Sequence, residues 1–325
     1  MVDAPGGDVW IPVAVGAALF LWWVWIGRDP SPGSIVPRWD PPAIPPGTAG
    51  ALIDQRADTA DVLATILDLA RRGYFTIRES HPSGVPAEGG EGVALLRDIL
   101  SRVGLWQTEW EFTRTGKPID DLIPTEGAVV AALFADGPRV GASALSGRLR
   151  ERLPAIYASL HDDLVRRGWF LSRPDRVRRD WWMLAGAFGL AAVASWSWAE
   201  DPGRAVALAA SGALVALAAP AMPASTAAGA RARAEALGVA EYLRRAEKDE
   251  IEARHGGKRT PEELDALLPW AIALGVTDLW VQRFEDLLPD ARPWYMTEGA
   301  TAGSLAVQIG GFVAVAGLLL ASGEG

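Results

Sequence analysis

The chain has 325 residues, with 31 Lys and Arg against 40 Asp and Glu, a formal net charge of −9, no Cys and 15 Trp. Without Cys there is no disulfide framework, no Cys-ligated zinc and no thiol nucleophile, and the acidic balance argues against a general polyanion binder. Half of the residues are hydrophobic, and they gather into blocks, which excludes a purely soluble globule.

Residues 1–8 carry Asp3 and Asp8 and no cation, unlike the basic lead of a secretory signal. They are read as an outer N-terminus. Residues 9–27, VWIPVAVGAALFLWWVWIG, are uncharged and carry Trp toward both ends. That meets the ~20 apolar residues of a spanning helix, with rings at the headgroup level, and predicts a first transmembrane segment. Residues 28–50 form a Pro-rich linker. Seven prolines fall between Asp29 and Gly47, and fixed φ with missing N–H donors predicts a semi-rigid extended spacer.

An internal repeat comes next. ATILDLARRGYF at 64–75 returns as SLHDDLVRRGWF at 159–170, displaced by 95 positions. Val62, Ile66 and Leu69 recur on one helical face, Arg71 and Arg72 sit in the last turn, and Gly73 provides a left-handed stop. Tyr74, Phe75 and Ile77 then read as a short strand, with its return strand at 110–114 and an inserted helix at 93–103. The second copy is preceded by helices at 125–136 and 142–152, and lies on a helix at 154–167. Tyr74, Phe75, Trp169 and Phe170 are expected to anchor each helix–strand junction as core. The pattern predicts two small α+β modules, winged-helix-like unit 1 at 51–118 and unit 2 at 119–180.

Two further apolar blocks stand at 181–199 and 205–222, predicted as the second and third transmembrane segments. Ala207, Ser211, Gly212 and Ala216 suit close helix packing there. Residues 223–302 read as a cytosolic helical segment. It holds a charged helix at 235–254, with Glu241–Arg245 and Glu250–Arg254 pairs, then a helix opened by Pro261. Trp270, Ile272, Ala273, Val276, Trp280 and Phe284 form its apolar stripe. That stripe could lie on the inner leaflet, meet a partner, or pack on Leu237, Tyr242 and Leu243. Trp270, Trp280 and Phe284 are the candidate partner contacts. Residues 303–321, with Gln308 the one strongly polar side chain, are the fourth predicted span.

Neither residues 1–27 nor 303–325 hold a cation, and the link between the second and third spans holds only Arg204. Arg173, Arg176, Arg178 and Arg179 crowd before the second span, and Arg231 and Arg233 come after the third. The asymmetry predicts cytoplasmic large segments, outer termini and a cell (inner) membrane location. The expected fold class is thus an α-helical multi-pass membrane protein with α+β tandem winged-helix-like cytosolic units.

Segment 28–180 holds 20 cations and 21 acids, and Asp61, Asp68, Asp162 and Asp163 occupy the helices that would enter a groove. Both facts argue against nucleic acid. There is no phosphate-binding loop: Gly116-Lys117 runs into Pro118 and Gly257-Lys258 into Arg259. His81, His161 and His255 are scattered. The acid pairs Asp120-Asp121 and Asp162-Asp163 are read as solvated. No catalytic, cofactor-binding or metal-binding residue is predicted, and no enzyme.

The run PPAIPPGTAGALIDQRADTADVLATILDLARRGYFTIRE, the block GVAEYLRRAE at 238–247 and LPWAIALGV at 268–276 with Trp280 and Phe284 together resemble the YciQ-like predicted membrane proteins, over residues 40–295. Members usually carry a β-rich extracytoplasmic domain before the first span, where only eight residues precede it here. They often have a Gly-rich tail, absent here, and Tyr where Trp270 stands. The resemblance implies membrane class and topology and brings no chemistry. The resulting expectation is a membrane-anchored cytosolic protein-interaction scaffold or signalling adaptor. Its partners would be the lipid bilayer and a cytosolic protein, with no cofactor and no small-molecule substrate. The alternative is a membrane-tethered nucleic-acid-binding regulator.

Overall fold

A computed structural model describes residues 10–26, 29–31, 33–80, 109–199, 201–246, 260–284 and 293–297. In chain order these form α1 (Trp10–Ile26), α2 (Pro46–Asp54), α3 (Thr59–Arg71), β1 (Phe75–Ser80), β2 (Glu109–Arg114), α4 (Pro124–Leu133), β3 (Arg139–Gly141) and α5 (Ala142–Arg166). Then come α6 (Pro174–Ser197), α7 (Pro202–Ala218), α8 (Ala227–Arg245), α9 (Pro261–Ala273), α10 (Thr277–Gln282) and β4 (Tyr295–Thr297). They divide into two compact units, the first from Met1–Ser34 and Leu164–Ala234, the second from Ile35–Asp163 and Glu235–Gly325.

The second unit is built round a four-stranded sheet of order β3-β2-β1-β4. β1 and β2 are antiparallel, with Phe75 opposite Arg114 and Ile77 opposite Phe112, while β4 joins β1 in parallel, Tyr295 opposite Ile77. Side chains alternate across the sheet: Phe75, Ile77, Trp110 and Phe112 are buried, while Arg78 is exposed and Glu111 and Thr113 are half-buried on the other face. The buried face meets α3, which is enclosed along its length from Asp61 to Ala70. The same core takes in Val129 and Leu133 of α4, Leu149, Leu153 and Ile156 of α5, and Tyr242, Leu243, Leu268 and Trp280.

Those Leu and Ile positions explain one departure from the expected elements. The helices expected at 142–152 and 154–167 are a single helix that runs through Pro154. Pro removes one hydrogen bond, but Leu149, Leu153, Ile156 and Leu160 keep one face buried across it. The expected strand at 110–114 and helix at 125–136 form as β2 and α4. The expected helix at 93–103 lies outside the described residues. Within the Pro-rich stretch the Arg38 N–H donates to the Gly238 carbonyl at 3.0 Å.

In the first unit α1, α6 and α7 pack together. The Ser211 hydroxyl of α7 donates to the Pro12 carbonyl at 2.7 Å and to Ala207 at 2.8 Å. A Cβ on Gly16 would come within 2.7 Å of the Ser211 Cβ, so the small residue lets the two backbones close up. At the other end of α7, Val215, Ala218 and Ala219 enclose Trp181, with Leu19, Trp23 and Val177 around them.

The expected multi-pass architecture with tandem winged-helix-like units is corrected here. The described chain is mostly helical with a small mixed sheet, and only Pro202–Ala221 is a helix long and apolar enough to cross a membrane. α1 is shorter. α6 begins at Pro174, so its first turns carry Asp175, Arg176, Arg178, Arg179 and Asp180 ahead of the apolar run. The span expected at 303–321 lies outside the described residues. Nor do the repeats make two modules. The first copy supplies α3 and β1 of the sheet, whereas after the second copy the described backbone makes one isolated bridge, Phe170 to Ser225.

Candidate functional site

The repeat builds the same corner twice, once in each unit. In the first copy the Gly73 N–H donates to the Ala70 carbonyl at 2.8 Å and the Tyr74 N–H to Leu69 at 3.1 Å. In the second, Gly168 donates to Val165 at 2.8 Å and Trp169 to Leu164 at 3.0 Å. This is the Schellman pattern, which needs a residue with positive φ; Gly73 has φ +81° and Gly168 +72°. A threonine closes each corner. Thr115 donates its N–H to Tyr74 at 3.0 Å and its hydroxyl to Gly73 at 2.7 Å, and Thr226 does the same to Trp169 at 2.8 Å and Gly168 at 2.7 Å. An arginine lies over the neighbouring ring each time: Arg72 over Tyr74 at 5.2 Å, Arg167 over Trp169 at 5.3 Å. Tyr74, Phe75, Trp169 and Phe170 are all buried, as expected.

Round the first corner the polar groups converge. Asp68 accepts from Arg71 at 2.8 Å and from Arg72 at 3.1 Å, and both oxygens of Glu126 accept from Arg72. Glu126 also accepts the Ile123 N–H at 3.2 Å, which fastens the start of α4. Burial alone lowers the Arg72 pKa, but the hydrogen bond and charge of Glu126, then those of Asp68, outweigh it and hold the guanidinium more firmly protonated. Lys117 covers the Tyr74 ring at 4.5 Å and donates to the Arg72 carbonyl at 2.8 Å. The repeat marks the arginines in the sequence but not Glu126 or Lys117. Pro124 and then Glu126 are the legible signal, a helix start with a carboxylate in its first turn.

Asp61, in the sequence only an acid on a would-be reading helix, has a structural task. Its carboxyl accepts the Asp58 N–H at 3.1 Å while Asp58 accepts the Asp61 N–H at 3.2 Å, a capping box. Gly50 of α2 lies so close that a Cβ there would collide with this carboxyl. Burial raises the Asp61 pKa well above the ordinary 3.8, the charges of Asp58 and Asp54 add to that, and the hydrogen bond from Asp58 opposes it. The acid pairs divide in the structure. Asp120, Asp121 and Asp162 are exposed, whereas Asp163 is buried and accepts from the Thr48 hydroxyl at 3.1 Å.

The expected contact residues are placed elsewhere than a surface. Trp270 is 3% exposed and Trp280 and Phe284 are 0%. The Trp280 ring packs against Tyr242 at 6.0 Å and Phe284 at 4.9 Å, and its N–H donates to the Leu264 carbonyl at 3.4 Å. The stripe meets Tyr242 and Leu243 in the core, which is the packing alternative, and side chains so enclosed offer a partner no area. His161 is buried, and His81 and His255 lie outside the described residues. Among the described residues no group of three His, Cys, Asp or Glu could hold a metal ion.

Among the described residues the first unit exposes many large apolar side chains. Trp22, Trp25, Leu21, Trp182, Met183, Leu190, Val193, Trp196 and Trp198 face outward, Trp25 and Trp198 almost fully. A large exposed apolar area of this kind marks an interaction surface.

Comparison with known proteins accords with that surface. Residues 36–284 match a family described as a predicted membrane protein (DUF2207), C-terminal domain. No curated protein and no solved structure matches the chain. With most of its length covered by that match, the chain belongs to the DUF2207 family of predicted membrane proteins.

Proposed function

We propose that the chain is a membrane-anchored scaffold or adaptor, in which the first unit is embedded in lipid at the inner membrane and the second meets a protein partner on the cytosolic side. One contrast carries the reading. The first unit turns Trp, Leu, Met and Val outward over α1 and α6, whereas the second encloses Trp110, Trp270, Trp280 and Trp294 in a core and presents a polar sheet face with Arg78, Glu111 and Arg139. The likeness to the YciQ-like proteins belongs to the same proposal.

Fractionation tests the anchor. The full chain is expected to stay with membranes through high-salt and alkaline washes and to leave only with detergent; release by salt overturns the reading. For the partner, a photo-crosslinking residue at Arg78 or Arg139 in cells is expected to give a reproducible protein adduct. Its absence at both positions removes the scaffold role. The alternative, nucleic-acid binding, is weakened because α3 is buried on every side and cannot enter a groove. Tight, steeply salt-dependent gel-shift binding by the full chain would restore it.

A further inference from the structure

We propose that Arg176, Arg179 and Arg231 form a docking surface for the phosphate headgroups of anionic lipids; this rests on the first unit being the lipid anchor. Six arginines and two aspartates lie between Val165 and Asp180, and two more arginines without an acid between Pro223 and Ala234, in a chain whose net charge is −9. Arg166, Arg167, Arg173, Arg178 and Arg233 already have partners within the fold. Arg173 grips Asp175 through two hydrogen bonds of 3.0 and 2.8 Å, and Arg233 lies 3.8 Å from Asp29. Arg176, Arg179 and Arg231 are exposed, and Arg179 has the exposed Asp180 beside it at 3.4 Å.

The position of Arg176 works against the helix. Arg176 stands in the first turn of α6, the end where a cation is disfavoured by the helix dipole, and Arg179 follows about one turn later. The helix dipole therefore does not account for Arg176, whereas an external anion would stabilise it. The ligand class is set by the chemistry farther along the same face. Arg176, Arg179, Met183, Leu190 and Val193 recur along one side of α6, opposite the enclosed Trp181, Ala192 and Ser195. Within one turn that side changes from guanidinium to exposed Trp182 and Met183. At the same level Trp22 approaches Trp181, with ring centroids 6.5 Å apart, and Trp25 is exposed. Cations directly beyond an aromatic girdle on an apolar surface fit the phosphate layer of a bilayer. Arg231 lies on α8, whose start is fastened beside Trp169 through the Thr226 N–H to the Trp169 carbonyl at 2.8 Å.

The test uses the full chain in phosphatidylcholine vesicles with and without phosphatidylglycerol. Tryptophan quenching by brominated phosphatidylglycerol and by brominated phosphatidylcholine gives their relative affinity at the protein surface. A cation at an anionic surface contributes about fivefold, so the wild type is expected to prefer phosphatidylglycerol several-fold. The triple variant R176Q/R179Q/R231Q should bring the ratio near one while still floating with vesicles, and the triple lysine variant should restore the preference. No preference in the wild type, or a preference that survives the glutamines, overturns the headgroup site and leaves the anchor standing. A chain that floats with neither vesicle overturns both.

Discussion

Trp280 combines complete burial, two aromatic neighbours and an indole N–H satisfied by the Leu264 carbonyl. Trp280→Ala is therefore expected to lower the unfolding free energy by about 3–5 kcal/mol in a denaturant titration; a change below ~1 kcal/mol would mean the ring is not core. Its helical spacing with Trp270 is plain in the sequence, but an apolar stripe reads the same whether it faces a partner or its own fold. Asp61 makes a different kind of prediction. Its raised pKa means that the folded chain keeps the proton at pH values where the unfolded chain has lost it. That stability is complete below the ordinary 3.8 and drains away as pH rises through the folded value. Asp54 and Asp58 are the charges facing it, and both keep the pKa up. Asp61→Asn still accepts from Asp58 and does not ionise. It should flatten the loss of stability on the alkaline side and exceed the wild type at neutral pH; an unchanged pH slope contradicts this.

The helix–glycine–strand element is the most legible feature of all. Helical periodicity, an arginine pair and a glycine stop are local signals, and the same Schellman corner forms at both copies because each needs only its own few residues. The chain beyond each corner takes a different course, since strand pairing draws on distant residues: β2 returns along β1, whereas after Phe170 the chain enters α6. The corner's charge cluster joins α3 to α4 through Arg72 and the buried Glu126. Removing one partner of an enclosed pair costs far more than an exposed pair contributes. With the Arg72 side chain 29% exposed, Arg72→Met should cost about 1–3 kcal/mol, read as a fall in Tm. A double variant with Glu126→Gln should recover part of it. If both singles are silent, the cluster is ornamental to the fold.

At the scale of the molecule, the two units bury their apolar residues to very different extents. The second encloses Trp110, Trp270, Trp280 and Trp294 and leaves Trp39 half exposed, while the first encloses Trp169 and Trp181 and exposes Trp10, Trp22, Trp25, Trp182, Trp196 and Trp198. Tryptophan emission should report that difference. In phosphatidylcholine vesicles, brominated acyl chains are expected to quench a large share of the intensity. Replacing Trp22, Trp25, Trp182, Trp196 and Trp198 by Phe should abolish most of that quenching, while Trp270→Phe leaves it unchanged. Equal quenching in the two variants would mean that the exposed rings are not in lipid.

Composition and local spacing determined by themselves the apolar blocks, the clustered arginines, the duplicated corner and the small residues of α7, Ser211 among them, that suit close packing. Each of these is written in a handful of neighbouring residues. Only tertiary structure decided that α5 continues through Pro154, that Trp270, Trp280 and Phe284 face inward, and that β4 comes from far along the chain to lie parallel to β1. Burial and strand pairing are settled by whichever distant surfaces complete one another, and a period of 3.6 or 2 names the face of an element without naming what covers it.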